Sequence, residues 1–358
     1  MRYRHVCLEA VSYLLPPDVV SSEQIEQQLE PVYNKLGLNV GRLELMSGIT
    51  TRRFFPHGTR PSDASILSAR AAVEASQLPQ SAFGALIHGS VCRDQLEPAT
   101  ANRVHHELGL PASSFVFDIS NACLGLMNGA ILIADLIEAG RIQAGVVVGT
   151  EIGRPLVEGT IQTLLNDDTL TRQSIKSAFA SLTIGSGSAA FVLCDRKLSQ
   201  HGTSLLGGEV LSNTETYRLC EGGSVERSTQ QGSPLMETDS EALLHAGVDL
   251  ADATWRKFSH TLGWNSESID RVITHQVGRA HRKLLLDRLQ IEHSKDSPTV
   301  QDLGNTGAVA LPTALGVAID QQRFSPNHSI GLFGIGSGLN CIMLGLDWQN
   351  CPVQQAQF

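Results

Sequence analysis

Residues 184–195 read IGSGSAAFVLCD, and residues 335–347 read IGSGLNCIMLGLD. Each segment is a Gly-Ser-Gly turn that leads into an apolar strand ending in Asp, and the two begin about 150 residues apart. A repeat at this distance predicts two similar halves, each with its own β-sheet. Chance similarity between two glycine-rich strand starts is the alternative. We predict an N-terminal half over residues 1–200 and a C-terminal half over residues 201–358.

Alternating strand and helix patterns around these segments place the chain in the α/β class. Residues 61–76 have a helical period with Ser62 and Asp63 as capping residues, and residues 124–139 are apolar on nearly all sides, which predicts a buried helix. Short apolar runs bounded by glycine or polar residues predict buried parallel strands, and they are residues 85–90, 114–118 and 144–150.

Two polar stretches without a strand pattern interrupt this alternation. Residues 151–180 are irregular, and residues 212–241 are rich in Ser, Thr, Glu and Gly. We predict that both are loops or insertions, where substrate specificity is often determined.

Composition and charge exclude several classes of protein. Of 358 residues, 42% are hydrophobic and 18% are charged, which predicts a folded chain with a large core. No run approaches the roughly 18 consecutive apolar residues of a membrane-spanning helix, and the N-terminal segment has no cleavage site of a secretion signal. We therefore expect a cytoplasmic protein. The net charge of −9 argues against a nucleic-acid partner.

The cysteines and histidines give no indication of a metal site. The seven cysteines contain no C-x-x-C pair, and the twelve histidines have no metal-ligand spacing. In a reducing compartment most of these cysteines are expected to be small buried hydrophobic residues, which leaves room for one with a chemical role.

Cys123 is the candidate nucleophile. The segment FDISNACLG, residues 117–125, runs from a strand through a turn of small residues into an apolar helix. Unpaired N–H groups at the N-terminus of a helix lower the pKa of a nearby thiol, so we expect a thiolate at neutral pH. The alternative from the local sequence is a buried structural cysteine.

His275 and Asn305 follow strands in the second half. His275 ends the short strand pattern of residues 273–275, and Asn305 lies between glycines before a helix of small residues. Alone, the histidine reads as a satisfied polar residue and the asparagine as a turn former. Together with Cys123 they provide a thiolate, a proton carrier and a neutral donor that polarises a thioester carbonyl.

In this order and spacing the residues resemble the ketoacyl-ACP synthase III branch of the thiolase superfamily. That family has its Cys after D-I-x-x-A, its His in H-Q and its Asn in G-N-T, and the similarity extends from about residue 48 to residue 348. The resemblance implies the thiolase fold, in which two similar halves form five layers, α-β-α-β-α. Further matching elements are GITTRR at residues 48–53, the helix start at Ser62 and Asp63, and the glycine-rich turn at residues 334–338.

Within that branch the chain resembles the olefin-biosynthesis thiolases of the OleA type. The matching segments are SVCRDQLEP at residues 90–98, NACL at residues 121–124, HQVGR at residues 275–279 and GIGSGLNC at residues 334–341. The family uses a glutamate of the R-D-x-L-E-P element, supplied by the neighbouring subunit, as its base. By resemblance this role falls on Glu97, and a homodimer is implied. A solvated loop carboxylate is the alternative for Glu97.

The resemblance implies a non-decarboxylative Claisen condensation of two fatty acyl-CoA molecules through an acyl-cysteine, without a cofactor. Cys123 carries the first acyl group, and its oxyanion is held by the N–H groups of Cys123 and of Ile335 or Gly336. His275 and Asn305 hold the second thioester, and Glu97 removes its α-proton. Acyl carrier protein and downstream pathway enzymes are further partners that the resemblance leaves open.

A basic cluster follows His275 on the next helix, formed by Arg279, Arg282 and Lys283. It is the candidate site for a phosphate of CoA or of a carrier protein, and a solvated helix face is the equal alternative. One feature departs from the family. Ketoacyl-ACP synthase III enzymes usually have a tryptophan before the G-I-x-x-R-R element that stacks on the CoA adenine, and residues 41–47 contain no aromatic residue.

Three other functions are compatible with the same residues. A decarboxylating 3-oxoacyl-ACP synthase III would share Cys123, His275 and Asn305, use malonyl-ACP and leave Glu97 idle. A cysteine hydrolase or acyltransferase would pass the acyl group to water or an alcohol. A non-catalytic scaffold predicts that iodoacetamide does not alkylate Cys123 selectively near pH 7.

Overall fold

A computed structural model describes residues 1–222 and 236–358. Within these ranges no helix has the length and apolar character needed to cross a membrane. The strands are β1 Val6–Leu14, β2 Asp18–Ser21, β3 Thr51–Phe54, β4 Phe83–Gly89, β5 Phe115–Ile119, β6 Ala144–Glu151, β7 Gly187–Asp195, β8 Ser204–Ser212, β9 Cys220–Gly222, β10 Met236–Thr238, β11 Arg271–Thr274, β12 His328–Gly336, β13 Asn340–Trp348 and β14 Val353–Ala356. The helices are α1 Ser22–Gln28, α2 Glu30–Leu36, α3 Arg42–Ser47, α4 Pro61–Ser76, α5 Thr100–Leu108, α6 Gly125–Glu138, α7 Arg154–Asn166, α8 Ile175–Leu182, α9 Ser240–Leu262, α10 Arg279–Leu289, α11 Val300–Leu303 and α12 Ala310–Asp320.

The strands of the two predicted halves pair in the same way. In the first set, β4 is parallel to β6, and β6, β7 and β1 continue antiparallel. In the second set, β11 is parallel to β12, and β12, β13 and β8 continue antiparallel. The two Gly-Ser-Gly segments lead into β7 and β13, which occupy equivalent places. The division at residue 200 stays a prediction.

The two sets are not separate sheets. Strands β1 and β8 pair at Cys7 and Ser204, so the described strands form one hydrogen-bonded order, β11-β12-β13-β8-β1-β7-β6-β4-β5, with β14 beside β1. The prediction that each half has its own sheet is therefore corrected, because the strands of both sets belong to one sheet.

Side chains that alternate along the strands divide the core into layers. Val147 and Leu332 point into a central core that also holds Leu126 of α6 and Leu315 of α12. Val146 faces α4 and α5 on the outer side of the first set. On the outer side of the second set, Phe333 and Met343 face α9 and α10, through Trp255 and Leu285. The layers therefore run α-β-α-β-α, as predicted.

The local predictions around these strands are largely confirmed. Helix α4 has the predicted bounds, and the strands predicted at residues 85–90, 114–118 and 144–150 are β4, β5 and β6. At the start of α4 the capping oxygen comes from Asp63, which accepts the Arg60 N–H.

The loop predicted over residues 151–180 is wrong. The segment forms α7 and α8, which bury Val157, Ile161, Leu164 and Phe179 against the small helices α1 to α3. Apolar residues at positions 157, 161 and 164 have helical spacing, and this signal was outweighed by the polar residues between them. In residues 212–241 the structure describes a 3₁₀ turn and the β9–β10 pair, and residues 223–235 lie outside the described residues.

Candidate active site

Cys123 lies in the turn between β5 and α6, at the carboxyl edge of the parallel strands. Ala122 has a φ of 44°, in the left-handed region, and the small residues on either side allow the tight turn. The Leu124 N–H donates to Asn121 O over 2.9 Å, and the Gly125 N–H to Ala122 O over 3.5 Å. The first amides of the helix are therefore engaged by the turn itself.

The pKa of Cys123 is raised, whereas the sequence predicts a lowered pKa. Burial, followed by the negative charge of Glu151 and the neighbouring Cys220, raises the pKa of the thiol to about 12. The backbone N–H of Cys123 lowers the pKa but does not compensate for burial. The prediction of a thiolate at neutral pH is therefore wrong for the free protein.

Glu151 is a buried carboxylate beside the nucleophile that the sequence analysis missed. It ends β6 and is 6% exposed. Its Oε1 accepts the N–H of Val91 at 3.0 Å and of Ala308 at 3.4 Å, and its Oε2 accepts the N–H of Cys92 at 3.2 Å. Burial raises its pKa, although these N–H donors oppose the shift. The sequence does contain a signal for Glu151, because an acidic residue ends an apolar strand at the same sheet edge as the Cys123 turn.

The glycine-rich turn after β12 packs directly on the nucleophile turn. A Cβ on Gly336 would lie 3.4 Å from the Cys123 nitrogen and 3.0 Å from Leu124 Cγ. A side-chain amide contact joins the same two turns, since Asn340 Nδ2 lies 3.3 Å from Asn121 Oδ1. The structure thus brings the predicted oxyanion elements, Cys123 and the turn that contains Gly336, into contact.

His275 follows β11 and is held beside β12. Its N–H donates to Phe333 O over 2.9 Å, and the residue is 3% exposed. Burial lowers the pKa of the imidazole to about 3, and the neighbouring His281 adds to the effect. The ring is therefore neutral at physiological pH. The next residue, Gln276, accepts the N–H of Thr299 through its side chain at 3.0 Å and so fixes the loop that precedes α11.

Asn305 is held by its backbone, which leaves its amide nitrogen available. Its N–H donates to Thr183 O over 3.0 Å, and its carbonyl accepts the Gly185 N–H over 2.9 Å. Its Oδ1 accepts the Gly307 N–H, and its Nδ2 donates to no other described atom. The loop meets the nucleophile region at Glu151, because a Cβ on Gly307 would lie 3.2 Å from Glu151 Cγ.

Glu97 lies at the surface, unlike the other predicted catalytic residues, which are buried or partly buried. It lies in an exposed loop beside Leu96, which is 92% exposed. Within residues 1–222 and 236–358 it makes no hydrogen bond or ion pair. The prediction that Glu97 acts in a neighbouring subunit stays a prediction.

The three basic residues of α10 have different surroundings. Arg282 pairs with the buried Asp296 at 2.5 Å, and Lys283 pairs with Asp287 at 2.5 Å. Arg279 makes no ion pair with a described residue and lines a cavity of about 460 Å³. Leu45 of α3, Arg282 and the acidic Glu44 and Asp302 line the same cavity. Arg279 is thus the member of the cluster that no described carboxylate pairs.

Comparison with known proteins decides the family. Residues 57–153 match the thiolase N-terminal domain, and residues 260–348 match the 3-oxoacyl-[acyl-carrier-protein (ACP)] synthase III C-terminal domain. The chain is 41% identical to the acyl-CoA:acyl-CoA alkyltransferase of Shewanella oneidensis over 351 residues, which are 97% of this chain and 100% of that protein. The chain belongs to the OleA family. It is therefore an acyltransferase of the thiolase superfamily, as the sequence resemblance predicted.

Other OleA proteins agree in sequence and in fold. The acyl-CoA:acyl-CoA alkyltransferase of Xanthomonas campestris pv. campestris is 32% identical over 348 residues, which are 97% of this chain and 100% of that protein. A crystal structure of Xanthomonas campestris OleA with bound lauric acid and lauroyl-CoA has a TM-score of 0.91 and 31% identity, and it covers 97% of this chain and 100% of that chain. The predicted thiolase fold is confirmed.

Proposed function

We propose that this protein joins two fatty acyl-CoA molecules by a non-decarboxylative Claisen condensation on Cys123. The observation that carries the proposal is the packing of the Gly336 turn on the Cys123 nitrogen, in a chain whose relatives are acyl-CoA:acyl-CoA alkyltransferases. The contact brings the backbone of the Gly336 turn next to the backbone of Cys123, and a thioester carbonyl bound between them needs N–H donors as it becomes an oxyanion.

The first half of the reaction transfers an acyl group to Cys123. The sulfur attacks the thioester carbon, the carbon–sulfur bond to CoA breaks, and CoA leaves with the proton that the Cys123 thiol gives up. The N–H groups of Cys123 and of Ile335 or Gly336 hold the oxyanion. Because the thiol is protonated in the free protein, the proton moves during the attack rather than before it.

The second half forms the carbon–carbon bond. Asn305 Nδ2 and the neutral ring of His275 donate to the carbonyl of the second thioester, and this stabilises its enolate. Glu97 of a neighbouring subunit takes the α-proton. The enolate carbon attacks the acyl-cysteine, the Cys123 thiolate leaves and regains a proton, and a β-ketoacyl-CoA forms. Water then hydrolyses its thioester, which releases the second CoA and a β-keto acid, and loss of CO₂ from that acid gives a ketone.

A homodimer is part of this proposal. Strand β5 ends the described sheet order with no partner on its outer side, and its Phe115 is 50% exposed. Such an apolar edge is suited to pairing with a second copy. The turn that carries Cys123 follows β5 directly, and the exposed Glu97 loop is free to reach the site of the other copy.

The cavity beside Arg279 is the proposed entry for CoA. Arg279 offers a phosphate a guanidinium that has no ion-pair partner among the described residues, and Leu45, which is 74% exposed, offers an apolar contact. All seven cysteines are unpaired, which supports a reducing, cytoplasmic setting.

The test is mass spectrometry of the products formed by the pure protein from myristoyl-CoA alone. A β-keto acid with twice the carbon number of myristate, or the ketone with one carbon fewer, supports the proposal. Free myristate alone would indicate a hydrolase. If product forms only with malonyl-ACP and Glu97→Gln keeps activity, the protein is instead a decarboxylating 3-oxoacyl-ACP synthase III.

A further inference from the structure

The carboxylate of Glu151 connects two loops that are far apart in sequence. Its Oε1 accepts N–H groups from both loops, from Val91 at 3.0 Å and from Ala308 at 3.4 Å. Its Oε2 accepts the N–H of Cys92 at 3.2 Å. The side chain is buried, so these bonds replace water that the carboxylate has lost.

Each of the two loops leads to a residue with a part in the second half-reaction. Val91 and Cys92 begin the exposed loop that carries Glu97, and Ala308 follows Asn305 in the same turn. Packing reinforces the hydrogen bonds, because a Cβ on Gly307 would lie only 3.2 Å from Glu151 Cγ. The position of the Asn305 turn and the origin of the Glu97 loop therefore depend on one side chain.

We infer that Glu151 is a positioning residue for carbon–carbon bond formation, which sets the Glu97 loop and the Asn305 turn in one geometry. The inference rests on the proposed function. In the proposed dimer Glu97 serves the site of the neighbouring subunit, whereas Asn305 serves its own, so Glu151 lies between elements of two active sites. Both of its oxygens accept backbone N–H groups, which assigns it to positioning rather than to proton transfer.

The first experiment separates the two half-reactions in Glu151→Gln. Glutamine has the same size, but its NH₂ group cannot accept an N–H, so at least one of the bonds is lost. We expect Cys123 acylation, followed as the burst of CoA release from myristoyl-CoA, to stay within about threefold, while condensation falls about tenfold to a hundredfold. Glu9→Gln is the matched control, because Glu9 is also fully buried and accepts the Gln200 N–H and the Ser199 hydroxyl.

Equal losses in both half-reactions, or unchanged condensation, would overturn the inference. Glu151→Asp guards against a variant that fails to fold. It keeps the charge with a side chain one methylene shorter, and we expect normal acylation with an intermediate loss of condensation. If Glu151→Asp loses acylation as severely as condensation, the residue is structural only.

The second experiment uses mixed dimers of a Cys123→Ala chain and a Glu97→Gln chain. Only one site of such a dimer is complete, with Cys123 and Asn305 from one chain and Glu97 from the other. We expect Glu151→Gln to slow condensation when placed in either chain, because each loop depends on it. An effect from one placement alone would overturn the shared role. A mixed dimer without any condensation would contradict the supply of Glu97 by the neighbouring subunit, and with it the placement of Glu151 between two active sites.

Discussion

Asn340 donates its side-chain amide to Asn121 Oδ1 over 3.3 Å, and this bond connects β13 with the turn that carries Cys123. The network continues on both sides. Ser212 Oγ donates to Asn340 Oδ1 over 2.6 Å, and Asn121 Nδ2 donates to Asn128 Oδ1 over 2.8 Å. The nucleophile turn is therefore tied to strands of the second set as well as to its own helix.

Replacing Asn340 by aspartate tests this connection. A carboxylate has the same shape but cannot donate, so it would repel Asn121 Oδ1. We expect the rate of Cys123 acylation to fall about tenfold, measured as the burst of CoA release. The control is Asn166→Asp at the exposed end of α7, where the side chain only donates to Gln162 O. Equal acylation in both variants would show that the bond has no part in placing the turn.

Alanine at Gly336 tests the close packing of the oxyanion turn. The added Cβ would lie 3.0 Å from Leu124 Cγ and 3.4 Å from the Cys123 nitrogen, so the two turns must separate. We expect acylation to slow by about a hundredfold, as when an oxyanion donor is removed. Gly187→Ala is the control, because its nearest new contact is an ordinary one, Val309 Cγ2 at 3.5 Å. Similar losses in both variants would contradict the explanation.

The raised pKa of Cys123 predicts how its alkylation depends on pH. With the pKa of Cys123 raised to about 12 by burial and by Glu151, the thiolate fraction grows about tenfold per pH unit between pH 7 and pH 10. Iodoacetamide labelling of Cys123, read by peptide mass spectrometry, should rise in proportion and should be faster in Glu151→Gln. A labelling rate that levels off near pH 7 would instead show that Cys123 is a thiolate at neutral pH, as the sequence predicts. Slow labelling at pH 7 therefore does not indicate a non-catalytic scaffold.

Arg279 and Lys283 should differ in their effect on the substrate. Arg279→Ala keeps the Cβ that packs near Gly48 but removes the unpaired guanidinium, so we expect the KM for myristoyl-CoA to rise about tenfold at low salt with little change in kcat. Lys283→Ala removes an exposed lysine already paired with Asp287 and should leave KM unchanged. A larger rise in KM for Lys283→Ala than for Arg279→Ala would indicate that Lys283, not Arg279, binds the CoA phosphate.

His88 should make the protein sensitive to mild acid. It is fully buried, neither ring nitrogen has a partner among the described atoms, and burial lowers its pKa to about 4 against the opposing charge of Asp118. His88 binds a proton near pH 6.5 in the unfolded chain but only near pH 4 in the folded chain. The free energy of unfolding therefore decreases as the pH falls from 6.5 to 4. The pKa shift of His88 lowers the free energy of unfolding by up to about 3 kcal/mol over this range.

Urea unfolding at pH 7.5 and pH 4.5 measures this effect. His88→Phe removes the titrating group, and the difference in the free energy of unfolding between the two pH values should shrink by that amount. His105→Phe is the control, because His105 is a half-buried residue on α5 whose ring contacts Pro111 O. An unchanged pH difference in His88→Phe would show that the buried ring is not the source.

Local patterns in the sequence were sufficient for most of the elements near the site. Apolar runs located β4, β5 and β6, and the helical period gave α4 its bounds. The helices α7 and α8, whose apolar residues pack on α1 to α3, are not evident from the sequence because polar residues separate the apolar positions of helical spacing. The ion pair of Arg282 on α10 is likewise not evident from the sequence, because its partner Asp296 lies outside that helix.

The sequence by itself determined that Cys123 and His275 each follow a strand, because strand ends and tight turns are encoded by neighbouring residues. The strand expected before Asn305 is wrong, because the short helix α11 precedes it. Only the tertiary structure decided the chemistry around these residues. The thiol pKa depends on burial and on Glu151, and the oxyanion turn depends on how closely Gly336 approaches Cys123. Desolvation and electrostatic interaction act through space, so groups far apart in the chain set them jointly.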